Sequence, residues 1–286
     1  MIEIIDAKYS TKDVTNIIKN HIINGEIYLR ANNNIFGDPN MGVVKKLIVN
    51  YVEDGNKKTV EIVEGDFLRL PETNTDRLGI FYTNNNINNN IIQKSLKTIN
   101  IAAKKHNVDV LTCVWTPIEN NPFKEIFSPI RIGNLFNINY QILILLLTAK
   151  RVHDYKYVSF LEHDVLYGED YFTYPEFDGN IIANNNYIGC NNGFQKNNHT
   201  NHQPLHELTM KFDFAINHFS KNLPNNIVDM AVLEPQVEIQ PYNEWSAPQP
   251  SIHIFHGKHI TSHYSIYSNE VTKNNKYWGD YEKLLV

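Results

Sequence analysis

The pattern of apolar and polar positions changes near residue 75 and divides the chain into two segments. In the first segment, apolar residues partly alternate with polar ones, and β-branched and aromatic residues are frequent, which is typical of strands. The stretch "EDGN", residues 53 to 56, carries the sequence signal of a tight hairpin between two of these strands. One short helix is predicted over "DVTNIIKNHIIN". We therefore predict a small β-rich domain over residues 1 to 71.

From Leu78 onward, short apolar runs alternate with longer segments whose apolar residues recur at helical spacing. The runs are "LGIFYT", "VDVLTCVW" and "KYVSFLE", and the segments between them are "NNIIQKSLKTINIAAKKHN" and "NLFNINYQILILLLTAKRVH". Such alternation predicts an α/β fold with a mostly parallel sheet flanked by helices, over residues 78 to 286. The polar, turn-rich stretch "PETNTDR", residues 71 to 77, is the predicted boundary.

Composition and charge narrow the classes of protein to consider. The 286 residues are 42% hydrophobic and 20% charged, which is typical of a soluble globular protein. The longest apolar stretch, "YQILILLLTA", is too short to span a membrane, and no secretion signal is recognised, so we expect a cytoplasmic protein. A net charge of −5 disfavours a broad nucleic-acid-binding surface. Cys113 and Cys190 lack metal-type spacing and are expected to be buried thiols.

The third apolar run ends in charged residues. In "KYVSFLEHDVLY", residues 156 to 167, the strand is followed by Glu162, His163 and Asp164. One interpretation is that the strand simply emerges into solvent there. The functional alternative is a divalent cation that joins the carboxylates to the phosphates of a ligand. Residues two apart in a strand point to the same side, so Glu162 and Asp164 could face one ligand at the carboxyl end of the sheet, where open α/β sheets bind ligands.

An apolar strand that ends in an acid-x-acid triplet resembles the signature of nucleotide-sugar glycosyltransferases of the GT-A fold. More closely, "EHDVLY", a later "EP" pair and "PSIHIFHGKHIT" resemble a group of bacterial, phage and large-virus GT-A-like proteins. The resemblance covers roughly residues 78 to 268. It implies a Rossmann-like GT-A domain, a nucleoside-diphosphate sugar donor and Mn²⁺ or Mg²⁺ as cofactor. A viral member of this group would act in the host cytoplasm.

The resemblance also implies roles for individual residues. Asp164 aligns with the second acid of the signature and is expected to take part in catalysis by binding the metal, together with His256 in "FHGK". Glu162 replaces the more usual first aspartate and is expected to contact the ribose or a metal-bound water. Lys258 would neutralise the departing diphosphate. Glu234, in the "EP" pair, is the expected general base.

Other candidate residues follow from their place in the α/β pattern. Tyr82, Thr83 and Asn84 come after the first strand of the second segment and are expected beside the base and ribose of the nucleotide, unless they form an ordinary polar loop. Asn191 and Asn192 lie between two glycines that allow close backbone approach, and they are predicted to offer polar groups to sugar hydroxyls. A plain Asn-Gly turn is the alternative at this position.

The N-terminal segment has a resemblance of its own. Residues 6 to 52, with "FGDP" followed by "KKLIVNY", resemble a small β-rich domain at the C-terminal end of a DnaJ-related protein. That domain has no enzymatic signature to transfer. The resemblance therefore implies an accessory binding or interaction role.

These observations together predict a metal-dependent glycosyltransferase that moves a sugar to an acceptor hydroxyl, with Asp229 and Glu244 as reserve candidates for the base. A glycan or protein-linked glycan is the expected acceptor. A hydroxymethylated DNA base ranks second, because its recognition would need base flipping or single-stranded access and a basic groove. A non-catalytic carbohydrate- or nucleotide-binding protein is the alternative from another class. A metal-dependent phosphohydrolase would need a denser set of metal ligands than the chain shows.

Overall fold

The computed structural model describes residues 2–22, 25–71, 75–131, 135–190, 192–197, 204–221, 243–255 and 267–284. By its internal contacts, the chain divides into two compact units. The first comprises residues 1–74 and 148–154, and the second comprises residues 75–147 and 155–286.

The first unit is built largely from strands. Its elements are β1 (Ile2–Tyr9), β2 (Lys12–Asp13), α1 (Thr15–Asn20), β3 (Ile27–Arg30), α2 (Asn33–Phe36), β4 (Lys46–Glu53), β5 (Asn56–Val63) and β6 (Phe67–Leu70). A four-stranded sheet has the order β2-β1-β4-β5, and β3 pairs with β6 in a second sheet. The two sheets and α1 enclose one apolar core, whose fully buried members include Tyr9, Ile18, Leu47 and Tyr51.

The hairpin predicted at residues 53 to 56 is confirmed. Strands β4 and β5 pair antiparallel up to Glu53↔Asn56. Asp54 and Gly55 between them both have positive φ, at 50° and 84°. Two central residues with positive φ define the turn whose twist matches that of the flanking strands, and Asp-Gly is a preferred sequence for it. The predicted helix is shorter than its sequence pattern indicated, since α1 ends at Asn20.

The rest of the chain forms fourteen further strands, four α-helices and one turn of 3₁₀ helix within the described residues. The elements are β7 (Arg77–Tyr82), α3 (Asn89–His106), β8 (Asp109–Val114), β9 (Lys124–Phe127), α4 (Leu135–Lys150), β10 (Tyr157–Glu162), β11 (Val165–Leu166), β12 (Ile181–Asn184), β13 (Tyr187–Cys190), β14 (Phe194–Asn197), the 3₁₀ turn (Leu205–Glu207), β15 (Leu208–Lys211), α5 (Phe212–Lys221), β16 (Asn243–Trp245), β17 (Ser251–Ile254), β18 (Tyr267–Thr272), β19 (Asn274–Asn275), β20 (Gly279–Asp280) and α6 (Tyr281–Leu284).

A seven-stranded sheet of order β16-β12-β15-β10-β7-β8-β9 forms the centre of the second unit. Strands β10, β7, β8 and β9 pair in parallel, as do β12 and β16. Strand β15 pairs antiparallel with both of its neighbours, β10 and β12. Six of the seven strands therefore share one direction, and only β15 is reversed. The predicted α/β fold with a mostly parallel sheet is confirmed.

Helices flank both faces of this sheet. On one face, α3 contributes apolar side chains at intervals of three or four residues to a core shared with Leu161: Ile92, Leu96, Ile99 and Ala103. On the other face, Phe219 of α5 packs against Phe160 of β10, with ring centroids 5.4 Å apart. Successive strand residues point to opposite faces, so Phe160 and Leu161 anchor the two layers. Within the described residues, every helix is too short or too polar to span a bilayer.

A second, five-stranded sheet has the order β11-β17-β13-β14-β18. Its short edge strand β11 begins three residues after β10 ends, and it pairs antiparallel with β17 at Val165↔His253. The chain therefore passes from one sheet to the other at the residues that follow Glu162. This crossing brings β17 to the carboxyl end of β10.

Gly79 in β7 leaves no room for a side chain. A Cβ at this position would lie 2.8 Å from Leu161 Cδ1 and 3.3 Å from Val110 Cγ2. We expect Gly79→Ala to lower the free energy of unfolding by about 1–3 kcal/mol through overpacking, measured by urea denaturation. Gly179→Ala is the matched control, because the nearest atom to its Cβ would be Asn243 Nδ2 at 3.5 Å. Equal losses in the two variants would contradict this interpretation of the packing.

Candidate functional site

Glu162 ends β10, and the neighbouring strands place polar groups on both sides of it. Tyr82 is its register partner on β7 and donates a hydrogen bond from its hydroxyl to Glu162 Oε1 (2.9 Å). On the other side, His206 Nδ1 lies 3.1 Å from Glu162 Oε2. Because β15 is antiparallel to β10, the residues before β15 meet the end of β10. Ser159 pairs with Thr209. Three residues further along β10 is Glu162, and three residues back from Thr209 is His206, so the two lie opposite each other.

His206 and Glu162 form an ion pair between a buried imidazole and a partly exposed carboxylate. The side chain of His206 is 2% exposed, and that of Glu162 is 28% exposed. Burial acts to lower the pKa of His206, but the hydrogen bond to Glu162 and the charges of Glu162 and Glu207 outweigh it and raise this pKa to about 9. Burial acts to raise the pKa of Glu162, but His206 reverses the effect and lowers it. At neutral pH, His206 is therefore protonated and Glu162 is ionised.

Glu207 lies behind this pair and is fully buried. It accepts hydrogen bonds from Asn184 Nδ2 (2.6 Å) and from Ser251 Oγ. Burial raises the pKa of Glu207 to about 7, although the charge of His206 and the two hydrogen bonds act in the opposite direction. Glu207 Oε1 lies 3.7 Å from His206 Nε2, too far for a hydrogen bond, and Nε2 has no hydrogen-bond partner within the described ranges.

Asp164 lies in the turn between β10 and β11. Its Oδ2 is 3.3 Å from His253 Nε2, and the pairing of β11 with β17 holds His253 in place. The His253 ring packs against the His206 ring, with centroids 5.0 Å apart. The side chain of Asp164 is 13% exposed, so both strand-end carboxylates reach solvent. We call these five side chains the acid–histidine cluster: Glu162, Asp164, His206, Glu207 and His253.

The three residues predicted beside the nucleotide differ in their surroundings. Tyr82 and Thr83 are buried, with the Tyr82 hydroxyl bonded to Glu162 and Thr83 Oγ1 2.6 Å from His163 Nδ1. Asn84 is partly exposed, and its Oδ1 accepts a hydrogen bond from the backbone amide of Asn86 (3.2 Å). The structure thus brings Tyr82 and Thr83 to the strand-end residues. A direct contact of any of the three with a nucleotide stays a prediction.

Asn192 lies in the turn that joins β13 and β14. It is exposed, has a φ of 55°, and accepts a hydrogen bond through its backbone carbonyl from Lys273 Nζ (2.9 Å). Gly193 next to it has a φ of 140°, and a Cβ there would overlap Val271. The geometry is that of a hairpin turn packed against β18, which was the structural alternative for this segment. Its contact with a sugar stays a prediction.

Several predicted site residues lie outside the described residues: Asn191, Asp229, Glu234, His256 and Lys258. Their roles stay predictions. The reserve base Glu244 is described, and it lies exposed on β16 at one edge of the main sheet.

Sequence reasoning did not assign His206, Glu207 or His253 to the site. The available signal was an adjacent His-Glu pair in front of the apolar run "LTM". That signal indicates a polar strand end, but it does not reveal which strand lies alongside. The pairing with β10 was the missing information.

The chemistry of the strand-end pair fits a hard divalent cation. Glu162 and Asp164 offer carboxylate oxygens, and Mg²⁺ in particular is often held by one or two carboxylates together with waters and ligand phosphates. Among the residues described here, no group of three or more His, Cys, Asp or Glu side chains is arranged to hold a metal ion. Metal binding by Glu162 and Asp164 therefore stays a prediction.

Comparison with known proteins gives structural similarity only. No protein-family model matches the chain, and no curated protein matches it. The catalytic domain of Drosophila β1,4-galactosyltransferase 7 in complex with xylobiose aligns with a TM-score of 0.31 and 11% identity, over 51% of each chain. A mutant of that enzyme in complex with manganese, UDP-Gal and xylobiose aligns with a TM-score of 0.34 and 10% identity, over 68% of this chain and 80% of the other. The chain thus spans about half the length of the first of these structures.

The raised pKa of His206 predicts that stability depends on pH. The folded protein holds this proton more tightly than the unfolded chain, so the stabilisation is fully present below about pH 6.5 and is lost as the pH rises toward 9. The corresponding contribution of Glu207 is lost between about pH 4.5 and 7. We therefore expect the free energy of unfolding to fall by about 1–3 kcal/mol between pH 7 and 9, measured by urea denaturation.

His206→Gln should remove most of this fall, because the variant has no group at this position that titrates. His218→Gln is the control: His218 is on α5, its pKa is lowered by burial, and its loss should leave the fall between pH 7 and 9 intact. An unchanged pH dependence in His206→Gln would show that His206 is not protonated in the folded protein at neutral pH.

Proposed function

We propose that the protein is a metal-dependent glycosyltransferase of the GT-A type, which transfers a sugar from a nucleoside-diphosphate sugar to an acceptor hydroxyl. The observation that carries this proposal is the pair of solvent-accessible carboxylates, Glu162 and Asp164, at the carboxyl end of β10 in a mostly parallel sheet. Open α/β sheets bind ligands at this edge. The resemblance of "EHDVLY" to the acid-x-acid triplet of GT-A enzymes supports the same assignment.

The metal would be held by Asp164 and His256, with Mn²⁺ or Mg²⁺ as the ion. Once bound, it would supply positive charge to the diphosphate leaving group. Lys258, two residues after His256, would add a second positive charge. Of these residues, only Asp164 is described, and its position in the turn after β10 is set by the pairing of β11 with β17.

Glu162 would bind the ribose or a metal-bound water. Each of its carboxylate oxygens already interacts with one partner, Tyr82 or His206, which fixes the orientation of the carboxylate. A carboxylate oxygen can accept more than one hydrogen bond, so the exposed edge of Glu162 can still accept one from a ligand. Tyr82 and Thr83 would then act as positioning residues through Glu162 and His163, and Asn84 would lie closest to the nucleotide.

On the acceptor side, Glu234 is the proposed general base, and Asp229 and Glu244 are its reserves. Asn191 and Asn192 are proposed to contact the donor sugar. A glycan or protein-linked glycan is the proposed acceptor, and a modified DNA base ranks second because the chain carries a net charge of −5. The first unit is proposed as an accessory interaction domain, and the reaction is placed in the cytoplasm.

Asp164→Asn should abolish metal-dependent nucleotide binding, because the amide keeps the shape of the side chain and removes its charge. With Mn²⁺ present, we expect one member of a nucleoside-diphosphate panel to raise the Tm of the wild-type protein. A ligand at 100 times its Kd stabilises the folded state by about 2.7 kcal/mol. Asp178→Asn, at an exposed position before β12, is the control and should respond like the wild type.

Each contrary result of the thermal-shift experiment has a definite meaning. If no nucleotide stabilises the wild type in the presence of Mn²⁺, there is no donor site of the proposed kind. If Asp164→Asn retains the full Mn²⁺-dependent response, Asp164 is not a metal ligand.

Glu234→Gln should slow sugar transfer without weakening donor binding. Loss of a general base lowers kcat by roughly 10²–10⁴-fold. The measurement is sugar transfer from the nucleotide sugar identified above, together with the Kd of that donor. Glu119→Gln, at an exposed position, is the control. Full activity in Glu234→Gln would show that Glu234 is not the general base and would leave Asp229 and Glu244 as candidates. If the wild type binds the donor but shows neither transfer nor hydrolysis, the protein is a non-catalytic binding protein.

A further inference from the structure

A groove of about 400 Å³ opens on the five-stranded sheet, lined by β13, β14, β18 and the residues that follow β18. Its volume lies within the range of roughly 300–1,000 Å³ that is usual for small-molecule sites. Tyr187 lines this groove and also contacts the acid–histidine cluster, since its ring meets the His206 ring edge-on with centroids 6.2 Å apart. The groove is therefore a neighbour of the cluster and is not built from its residues.

Amide side chains dominate the polar part of the lining: Asn185, Asn186, Gln195 and Asn275. An amide offers hydrogen-bond donors and an acceptor without net charge. The charged side chains of the lining, Lys196, Lys276 and Glu270, leave a net charge of only +1. This chemistry favours an uncharged ligand with many hydroxyl groups over a phosphate or a carboxylate.

Two of these amides each have one polar atom that can bind a ligand, a donor in Asn275 and an acceptor in Asn186. Asn275 uses Oδ1 to accept hydrogen bonds from the backbone amides of Tyr277 (2.9 Å) and Trp278 (3.2 Å), and within the described ranges its Nδ2 donates to no partner. Asn186 uses Nδ2 to donate to the carbonyl of Ala247 (2.6 Å), and its Oδ1 accepts from none of the described residues. The groove thus offers one fixed donor and one fixed acceptor, and sugar hydroxyls can pair with both kinds of group.

Gln195 adds a second kind of evidence. Its Oε1 is buried and makes no hydrogen bond with any described residue. A buried acceptor without a partner destabilises the folded state, and such groups call for a specific explanation. Gln195 also lines the groove, and the terminal torsion of glutamine is broad, so rotation of the amide about this torsion would let the oxygen meet a ligand. A ligand hydroxyl there would supply the missing donor.

Tyr277 provides an aromatic surface beside these amides. It lines the groove and is 45% exposed, and its backbone is held by Asn275. The face of an aromatic ring is electron-rich, so it attracts the polarised C–H groups on the flat side of a pyranose ring. Lys276 Nζ lies over this ring, 4.5 Å from its centroid, so a sugar would use the opposite face. Tyr277 and the neighbouring amides therefore offer both contacts that a sugar needs.

We propose that this groove binds a neutral oligosaccharide, as a carbohydrate site separate from the donor site at Glu162 and Asp164. The sugar ring lies against Tyr277, and its hydroxyls bond to Asn275 Nδ2, Asn186 Oδ1 and the Gln195 amide. The proposal does not depend on transferase activity, because it rests on the lining of the groove alone.

Binding of neutral trisaccharides to the full chain, measured by saturation-transfer difference NMR and calorimetry, tests the proposal. The panel contains maltotriose, cellotriose, chitotriose and xylotriose at millimolar concentration, and a sulfated trisaccharide serves as the anionic comparison. We expect at least one neutral member to bind. Tyr277→Ala and Gln195→Met should each weaken it by about tenfold, which corresponds to about 1.4 kcal/mol.

Gln195→Met keeps the size of the side chain and removes the unpaired oxygen, so its Tm should be at least that of the wild type. Phe127→Ala changes a half-exposed aromatic on β9 and is the control for Tyr277→Ala. Asp164→Asn should bind the oligosaccharide normally, which separates this site from the donor site. The proposal is wrong if no neutral trisaccharide binds, if only the sulfated one binds, or if binding is lost in Asp164→Asn and kept in Tyr277→Ala.

Discussion

The ion pair between the partly exposed Glu162 and the buried His206 is the interaction on which the candidate site depends. A carboxylate and an imidazolium taken from water lose several kcal/mol of hydration each, and only close geometry with further hydrogen bonds compensates this loss. Tyr82 supplies one such bond to Glu162. On the far side, Asn184 and Ser251 hold Glu207, which has a pKa of about 7 and so adds only part of a negative charge at neutral pH. Glu162 reaches solvent, and the buried groups Tyr82 and His206 hold its carboxylate in place.

One reversed strand makes this arrangement possible. In a wholly parallel sheet, the neighbours of a strand's carboxyl end are the ends of other strands, as Tyr82 of β7 is for Glu162. Because β15 runs against its neighbours, the residues that precede it, His206 and Glu207, lie at that same edge. The transfer of the chain into β11 has a similar effect, since the antiparallel pairing with β17 brings His253 to Asp164. Four distant parts of the chain therefore meet at this edge of the sheet: Tyr82, residues 162–164, residues 206–207 and His253.

This construction explains how much the sequence could reveal. The alternation from Leu78 onward predicted β7, α3, β8, α4 and β10, and "EDGN" predicted the β4–β5 hairpin, because periodicity and turn chemistry are local properties. The end of β10 was recognisable as a candidate site for the same reason. His206 and Glu207 could not be assigned to it, since strand pairing between residues more than forty positions apart leaves no local pattern. Tyr82 was expected to face a ligand, yet the register with β10 directs its hydroxyl to Glu162.

Stability alone does not account for the acid–histidine cluster. Well-packed apolar residues often replace a buried ion pair without loss of stability, so such a pair is weak evidence of a structural role. The alternative that Glu162 and Asp164 merely mark the emergence of a strand into solvent does not explain why Tyr82 and His206, both buried, are directed at Glu162. Departures from the usual burial rules are expected where a site must hold a charge in one place. The cluster holds two accessible carboxylates at the carboxyl end of the parallel strands, the edge where open α/β sheets bind ligands, and the proposed cation with its phosphate ligands would account for that costly arrangement.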